Sequence, residues 1–261
     1  MDIKVIVAAH KKYIMPKDEM YVPVQVGSEG KEKIGYTQDN QGKNISSKNP
    51  FYCELTGLYW AWKNLKTDYL GLSHYRRHFS IAKKLPKEPE ERMKMVISKN
   101  EVENILKNTD IILPKKRKYY IENLYDHYRH TLYVDPLDET RKIIEEKCPE
   151  YLEEFDKLHK RTSAHMFNMY IMKKELSDKY CEWLFDILFE LEKRYDPQKY
   201  DSFHARYLGR ISELLLDVWI NTNNYKYEEV RAIDIEKVNW LKKGSSFLKS
   251  KFTGKKYEKS F

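Results

Sequence analysis

The chain has no run of about twenty apolar residues, so no segment reads as a membrane span. Cysteine is sparse: Cys53, Cys148 and Cys181 are widely spaced and form no Cys-x-x-Cys pair. That excludes a disulfide framework and a cysteine zinc site, and it predicts reduced, buried thiols in a cytosolic protein. No Gly-rich phosphate loop stands ahead of a helix, which argues against a nucleotidyl or phosphoryl transferase of that kind. The net charge is +8, yet there is no finger, homeodomain or RNA-recognition motif, so nucleic acid is not the expected partner. The opening MDIKVIVAAHKK holds an apolar run too short for a signal peptide, with Asp2 ahead of it.

What is present is enough apolar and aromatic side chain to fill the core of one large domain. The 21 tyrosines stand out, each with an apolar ring and a polar tip suited to core edges and sugar or base surfaces. Codon bias in an AT-rich genome accounts for much of that excess. Residues 3 to 9 are a continuous apolar, β-branched run that predicts a buried central strand. Further strands are expected at 21–26 (an edge, given Pro23), 69–73, 110–114, 165–172 and 229–235. Helices are expected at 49–65, 99–107, 174–195 and 204–221, with a helical insert over 119–160. Residues 27–48 and 80–98 read as loops. Strands alternating with helices imply an α/β sandwich. The organisation expected is one catalytic domain over 1–240 and a basic tail over 241–261. The tail interleaves lysines with Phe247, Leu248, Phe252 and Tyr257, a pattern suited to peripheral contact with an anionic bilayer, or to a frayed terminus.

The most informative stretch is NPFYCELTGLYWAWKN followed by YLGLSHYRRHF, residues 49 to 79. A strand ending in His74, Tyr75, Arg76 and Arg77 presents cations where open α/β sheets bind ligands, outside the strands' carboxyl ends. The guanidinium fork suits phosphate oxygens. Together with IKVIVAAHK, QGKNISSKNP, SAHMFNMYIMKKE and RYLGRISELLLDVWI, this stretch resembles a bacterial family found in capsular and exopolysaccharide synthesis loci. That family was long catalogued as a domain of unknown function and is treated as glycosyltransferases. The resemblance implies a GT-A-like, Rossmann-type nucleotide-sugar transferase fold. It also implies a UDP-sugar donor, with galactose or galactofuranose among the sugars handled, and a saccharide or lipid-linked saccharide acceptor on the cytoplasmic side of the membrane. The alternative is a non-catalytic nucleotide- or carbohydrate-binding partner in a polysaccharide assembly complex.

Sugar transfer needs a neutralised diphosphate, a held sugar and a base for the acceptor hydroxyl. His74, Arg76 and Arg77 are the candidates for the diphosphate. They stand where many such enzymes carry Asp-x-Asp, so a divalent Mg or Mn ion is disfavoured, and His74 alone is a poor magnesium ligand. The pairs His74/His78 and His127/His130 lack a third ligand nearby and read as structural or acceptor-contacting rather than metal-binding. Ala9, His10 and Lys11, at the end of the first strand, are candidates for the nucleotide. Asp39, Asn40, Asn44 and Ser46, in the following loop, are candidates for ribose or phosphate, with ordinary loop polarity as the alternative. Asn168 is the polar exception in an apolar strand and is expected at the donor sugar, as the resemblance also implies. Glu54 sits among apolar neighbours and needs a partner: Arg76 or Arg77, or a substrate hydroxyl, which makes it a second candidate for the sugar. Glu213 is the first candidate base and Asp135 the second, although a helix-surface or capping role explains either.

Overall fold

The computed structural model describes residues 1–236, and the basic tail expected from 241 lies outside the described residues. In chain order the elements are β1 (Ile3–Ala9), β2 (Tyr21–Gln25), β3 (Thr37–Gln38), α1 (Asn49–Tyr52), α2 (Leu55–Asn64), β4 (Tyr69–His74) and β5 (Arg77–Ser80). Next come α3 (Pro89–Met93), α4 (Lys99–Leu106), β6 (Ile111–Pro114), β7 (Arg117–Lys118), α5 (Leu124–Thr131), α6 (Asp135–Lys147) and α7 (Leu152–Lys160). The last are β8 (Ser163–Ala164), β9 (Tyr170–Lys173), α8 (Lys174–Arg194), α9 (Tyr207–Thr222) and β10 (Glu228–Asp234). Two compact units result. The first holds Met1–Lys115, Phe167–Glu182 and the described chain from Tyr225; the second holds Lys116–Met166 and Trp183–Asn224.

The first unit is a mixed sheet in the order β3-β2-β1-β4-β5-β10-β6-β9, with β4 also paired to β9. Strand β1 lies between two parallel neighbours, β2 and β4, which explains its unbroken apolar sequence. Strand β4 serves two partners along one edge. Tyr69–Leu72 pair antiparallel with β9, and His74 pairs with Arg77 of β5. Strands β4, β5, β10, β6 and β9 therefore close into a five-stranded ring, which corrects the expected open sandwich. A closed ring leaves fewer strand edges unpaired. Pro23 is tolerated because β3 pairs only with Val24 and Gln25, which leaves Pro23 on an open edge.

Helix α2 packs on β1 and β4. Gly57 lets α2 come close to the chain just after β2, since a Cβ there would stand 2.8 Å from Val26 Cγ1. The segment 80–98, expected as loop, contains α3, and Ser98 with Glu101 forms a capping box at the start of α4. In the second unit α5, α6, α7 and α9 pack around Leu137, Ile144, Phe155, Leu158, Leu215 and Trp219, all buried. Pro136 falls in the first turn of α6, where its missing N–H costs nothing. Among the described residues no helix is long and apolar enough to cross a membrane.

Candidate active site

The expected helix over 49–65 is broken. Helix α1 ends at Cys53, whose backbone takes φ 53° and ψ −130°, and α2 restarts at Leu55 with Glu54 as its N-cap residue. A non-glycine residue in that region costs on the order of 1–3 kcal/mol. Side chains around the break hold it in place. Asn49 Nδ2 donates to the Cys53 carbonyl at 2.7 Å and to Thr56 Oγ1 at 3.3 Å. Thr56 Oγ1 in turn donates to Asp39 at 2.7 Å. The Asp39 carboxylate also accepts from Gly27 N, Ser28 N, Ser28 Oγ and Ser46 Oγ. Asp39 is fully buried, so with Ser46 it builds the loop, in line with the loop-polarity alternative and not with a ribose contact. Asn44 likewise uses both ends of its amide locally, donating to Gly42 O and accepting from Ser46 N.

The break aims Glu54 at the end of β4. Its Oε1 accepts from Asn168 Nδ2 at 2.7 Å and lies 3.9 Å from His74 Nε2. His74 Nε2–H donates to the Phe167 carbonyl at 2.7 Å. Glu54's partners are therefore Asn168 and His74, not an arginine. The strand expected over 165–172 begins only at Tyr170, because Phe167 and Asn168 have left-handed backbones, φ 80° and 54°. Asparagine tolerates that conformation and phenylalanine does not. Three non-glycine residues with positive φ thus border one cluster: Cys53 precedes Glu54, and Phe167 and Asn168 contact His74 and Glu54. Burial lowers the pKa of His74, offset by the charge of Glu54, and Arg77 and Arg76 lower it further. Burial also pushes His78 down to about 3.

The arginines sit beside this cluster. The hairpin β4–β5 turns through Tyr75 and Arg76, so Arg77 opens a returning strand instead of ending the first one. Arg77 donates through Nε and a terminal nitrogen to Asp234 Oδ1 at 2.9 and 2.7 Å. Its guanidinium lies 3.7 Å from the centre of the Phe167 ring. Arg76 is exposed, lies 5.3 Å from the Tyr75 ring, and has no carboxylate partner among the described residues. Tyr75 is the hub of this side: His10 meets its ring edge-on at 5.2 Å, Tyr13 at 5.1 Å, and Lys11 Nζ stands 5.7 Å away. Ala9 is buried, with its carbonyl accepting from Val26 N, and contributes backbone only. Sequence reasoning gave no role to Tyr75, Tyr13, Phe167 or Asp234, although Tyr75 and Phe167 lie inside the stretches that carry the resemblance; strand pairing is what brings Asp234 to Arg77.

The two candidate bases lie in the second unit. Glu213 is in α9 and Asp135 opens α6, where a carboxylate favours the helix N-terminus. Both act on one aromatic crevice lined by Tyr128, Tyr133, Tyr200, His204, Tyr207 and Arg210, among others. Burial raises the Tyr128 hydroxyl pKa well above the ordinary tyrosine value; Arg210 opposes that, and the charge of Glu213 adds to it. Burial also raises Tyr200, with Asp135 adding to it. Among the described residues no three His, Cys, Asp or Glu side chains are grouped as metal ligands.

A solved structure shares this fold. The apo structure of WbbM, a bifunctional glycosyltransferase, superposes with a TM-score of 0.84 at 30% identity over 91% of this chain. The chain corresponds to 46% of that protein's length. No curated protein matches the sequence. The family model described as a domain of unknown function, DUF4422, matches residues 4–224, and the chain belongs to that family.

Proposed function

We propose that this protein is a glycosyltransferase. It moves a sugar from a nucleotide-linked donor, with UDP as the nucleotide, to a lipid-linked saccharide in capsular, exopolysaccharide or lipopolysaccharide synthesis. The fold would be a GT-A-like sandwich in which part of the sheet has closed, and the free thiols fit a cytoplasmic setting. The observation that carries the reading is the strained cluster at the end of β4. Backbone strain of this kind gathers at functional sites and persists only where the surroundings enforce it. Likeness to a glycosyltransferase structure points the same way.

In this reading Arg76, exposed beside Tyr75, and Arg77, held on Phe167 by Asp234, neutralise the diphosphate without a required metal ion. His74 stays neutral and directs its Nε2–H. Glu54 and Asn168 hold the donor sugar, and His10 and Lys11 line the nucleotide end near Tyr75. The acceptor oxygen attacks the anomeric carbon, the bond from that carbon to the diphosphate breaks, and UDP departs. The acceptor proton passes to a carboxylate, Glu213 first and Asp135 second.

A thermal-shift titration tests the donor half. A ligand that binds only the folded state stabilises it by about 2.7 kcal/mol at roughly a hundred times its Kd. UDP is expected to raise Tm, and the double variant Arg76→Ala, Arg77→Ala to lose the rise. UDP release from UDP sugars in EDTA is the catalytic counterpart. A chain that binds UDP yet turns over no nucleotide sugar would be a binding partner instead.

A further inference from the structure

We propose that the loop between β7 and α5 is a membrane-docking tip that sets Tyr120 and Ile121 into the headgroup layer of an anionic bilayer. Among the described residues these are the two most exposed large hydrophobic side chains, at 88% and 58%, and they are neighbours in the chain. Single exposed apolar residues are ordinary on a protein surface. Here two adjacent ones share a loop tip. Backbone bonds fix both ends of that loop: Tyr119 N donates to Thr162 O at 2.7 Å, and Leu124 N donates to Arg161 O at 2.9 Å. The flanking side chains are used locally. Tyr119 packs on the His127 ring at 4.4 Å, and Asn123 caps α5, accepting from Asp126 N at 2.7 Å.

Charge selects the partner. Lys116, Arg117 and Lys118 lead into the loop, and Lys160 and Arg161 stand at the end of α7, on the segment that flanks it. Lys118 and Lys160 are exposed. Glu122 is the one carboxylate between Lys116 and Tyr125, and it is turned away from solvent. Its side chain is 6% exposed, with its oxygens 2.8 Å from His130 Nδ1 and 3.4 Å from His127 Nδ1. Glu154, the carboxylate nearest Arg161, is bound to that arginine at 3.1 Å and to Lys157 at 2.9 Å. The outward surface of the tip therefore combines a Tyr–Ile step with cations. Such a surface matches a bilayer layer by layer. A tyrosine ring suits headgroup depth, an isoleucine the acyl boundary, and lysines keep their ammonium groups among the phosphates. The surface potential of anionic lipid draws the cations in. Stable attachment takes two such signals, and the tip carries both.

Contact with a bilayer involves no sugar chemistry, so it holds whether or not the protein is a glycosyltransferase. The test is flotation of the full chain with vesicles of phosphatidylcholine alone and of equimolar phosphatidylcholine and phosphatidylglycerol. Partition into the anionic vesicles is expected, weakened by high salt. The double variant Tyr120→Ser, Ile121→Ser should weaken it by about tenfold, and Lys118→Gln with Lys160→Gln by about as much. Every variant keeps residues 237–261, so any contribution from the basic tail is common to all. These side chains are exposed, so the variants should melt with the parent, which separates lost binding from lost folding. Amide exchange in residues 119–123 should slow when anionic vesicles are added. No flotation of the parent, or equal flotation of the serine variant, would overturn the proposal. Equal partition into the neutral vesicles would overturn the anionic surface. A parent dimer that the serine substitutions dissociate would make the tip a contact between copies of the chain, and would overturn it too.

Discussion

The end of β4 and the crevice of the second unit are both polar sites, yet they hold their free energy differently. At β4 the side chains satisfy one another, and the backbone carries the strain at Cys53, Phe167 and Asn168. In the crevice no lining residue has a positive φ, while two buried polar atoms go unpaired. A network that completes itself is rigid and ready for an incoming group. Groups left incomplete carry an uncompensated desolvation cost in the folded state. Truncation should therefore have opposite signs in the two places.

The strongest way to break this contrast is Glu54→Ala. It strips Asn168 of a partner and is expected to cost about 2 kcal/mol in denaturant unfolding. Because the donor sugar would lose its positioning, nucleotide-sugar turnover should fall by about a hundredfold. An unchanged turnover would detach the β4 cluster from the chemistry. Next comes the strain itself. Asn168→Ala and Asn168→Gly lose the same hydrogen bond, but only glycine accepts φ 54° freely, so the glycine variant should be the more stable by about 1–2 kcal/mol. Equal stabilities would mean that no strain is stored there.

Acid sharpens the comparison. The folded-state pKa of His78, about 3, lies below the ordinary histidine value of 6.5. The unfolded chain therefore takes up the proton first as pH falls. The stability from this ring is complete above about pH 6.5 and is lost progressively toward pH 3, with a slope of up to about 1.4 kcal/mol per pH unit. His127 and His159 in the second unit, both lowered to about 4 chiefly by burial, add to the upper part of this loss. His78→Asn should reduce the slope between about pH 6.5 and pH 3, as followed by chemical denaturation across pH; of these three histidines it alone accounts for the part between pH 4 and pH 3. The smallest effect has the opposite sign. Tyr128→Phe should raise unfolding free energy by about 1 kcal/mol, and a drop would show that its hydroxyl is satisfied after all.

Much of this was legible in the sequence where one local signal decides the matter. The β-branched run at Ile3–Ala9 and the amphipathic period of Lys174–Arg194 form the strand and helix expected of them. Asn168 was marked as a polar exception, and the structure explains why: it leaves the strand altogether. The break at Cys53 was not legible, because the apolar period runs through it and the bonds that enforce it come from Asn49 and, through Thr56, from Asp39. Ring closure was hidden for a similar reason. Arg77–Ser80 has only four residues, and its partner β10 lies far along the chain. The crevice tyrosines are scattered from 128 to 207, so the tyrosine excess hinted at them without placing them.

Strand β10 has a consequence for how the protein is made. It pairs antiparallel with Arg77–Ser80 and parallel with Ile112–Pro114, and it leaves the ribosome well after both. Until it arrives, each of those strands presents a bare flank on the side that β10 will cover. Such distant pairings raise contact order and slow folding. Until β10 pairs, the half-built ring carries unpaired strand edges of the kind that favour aggregation.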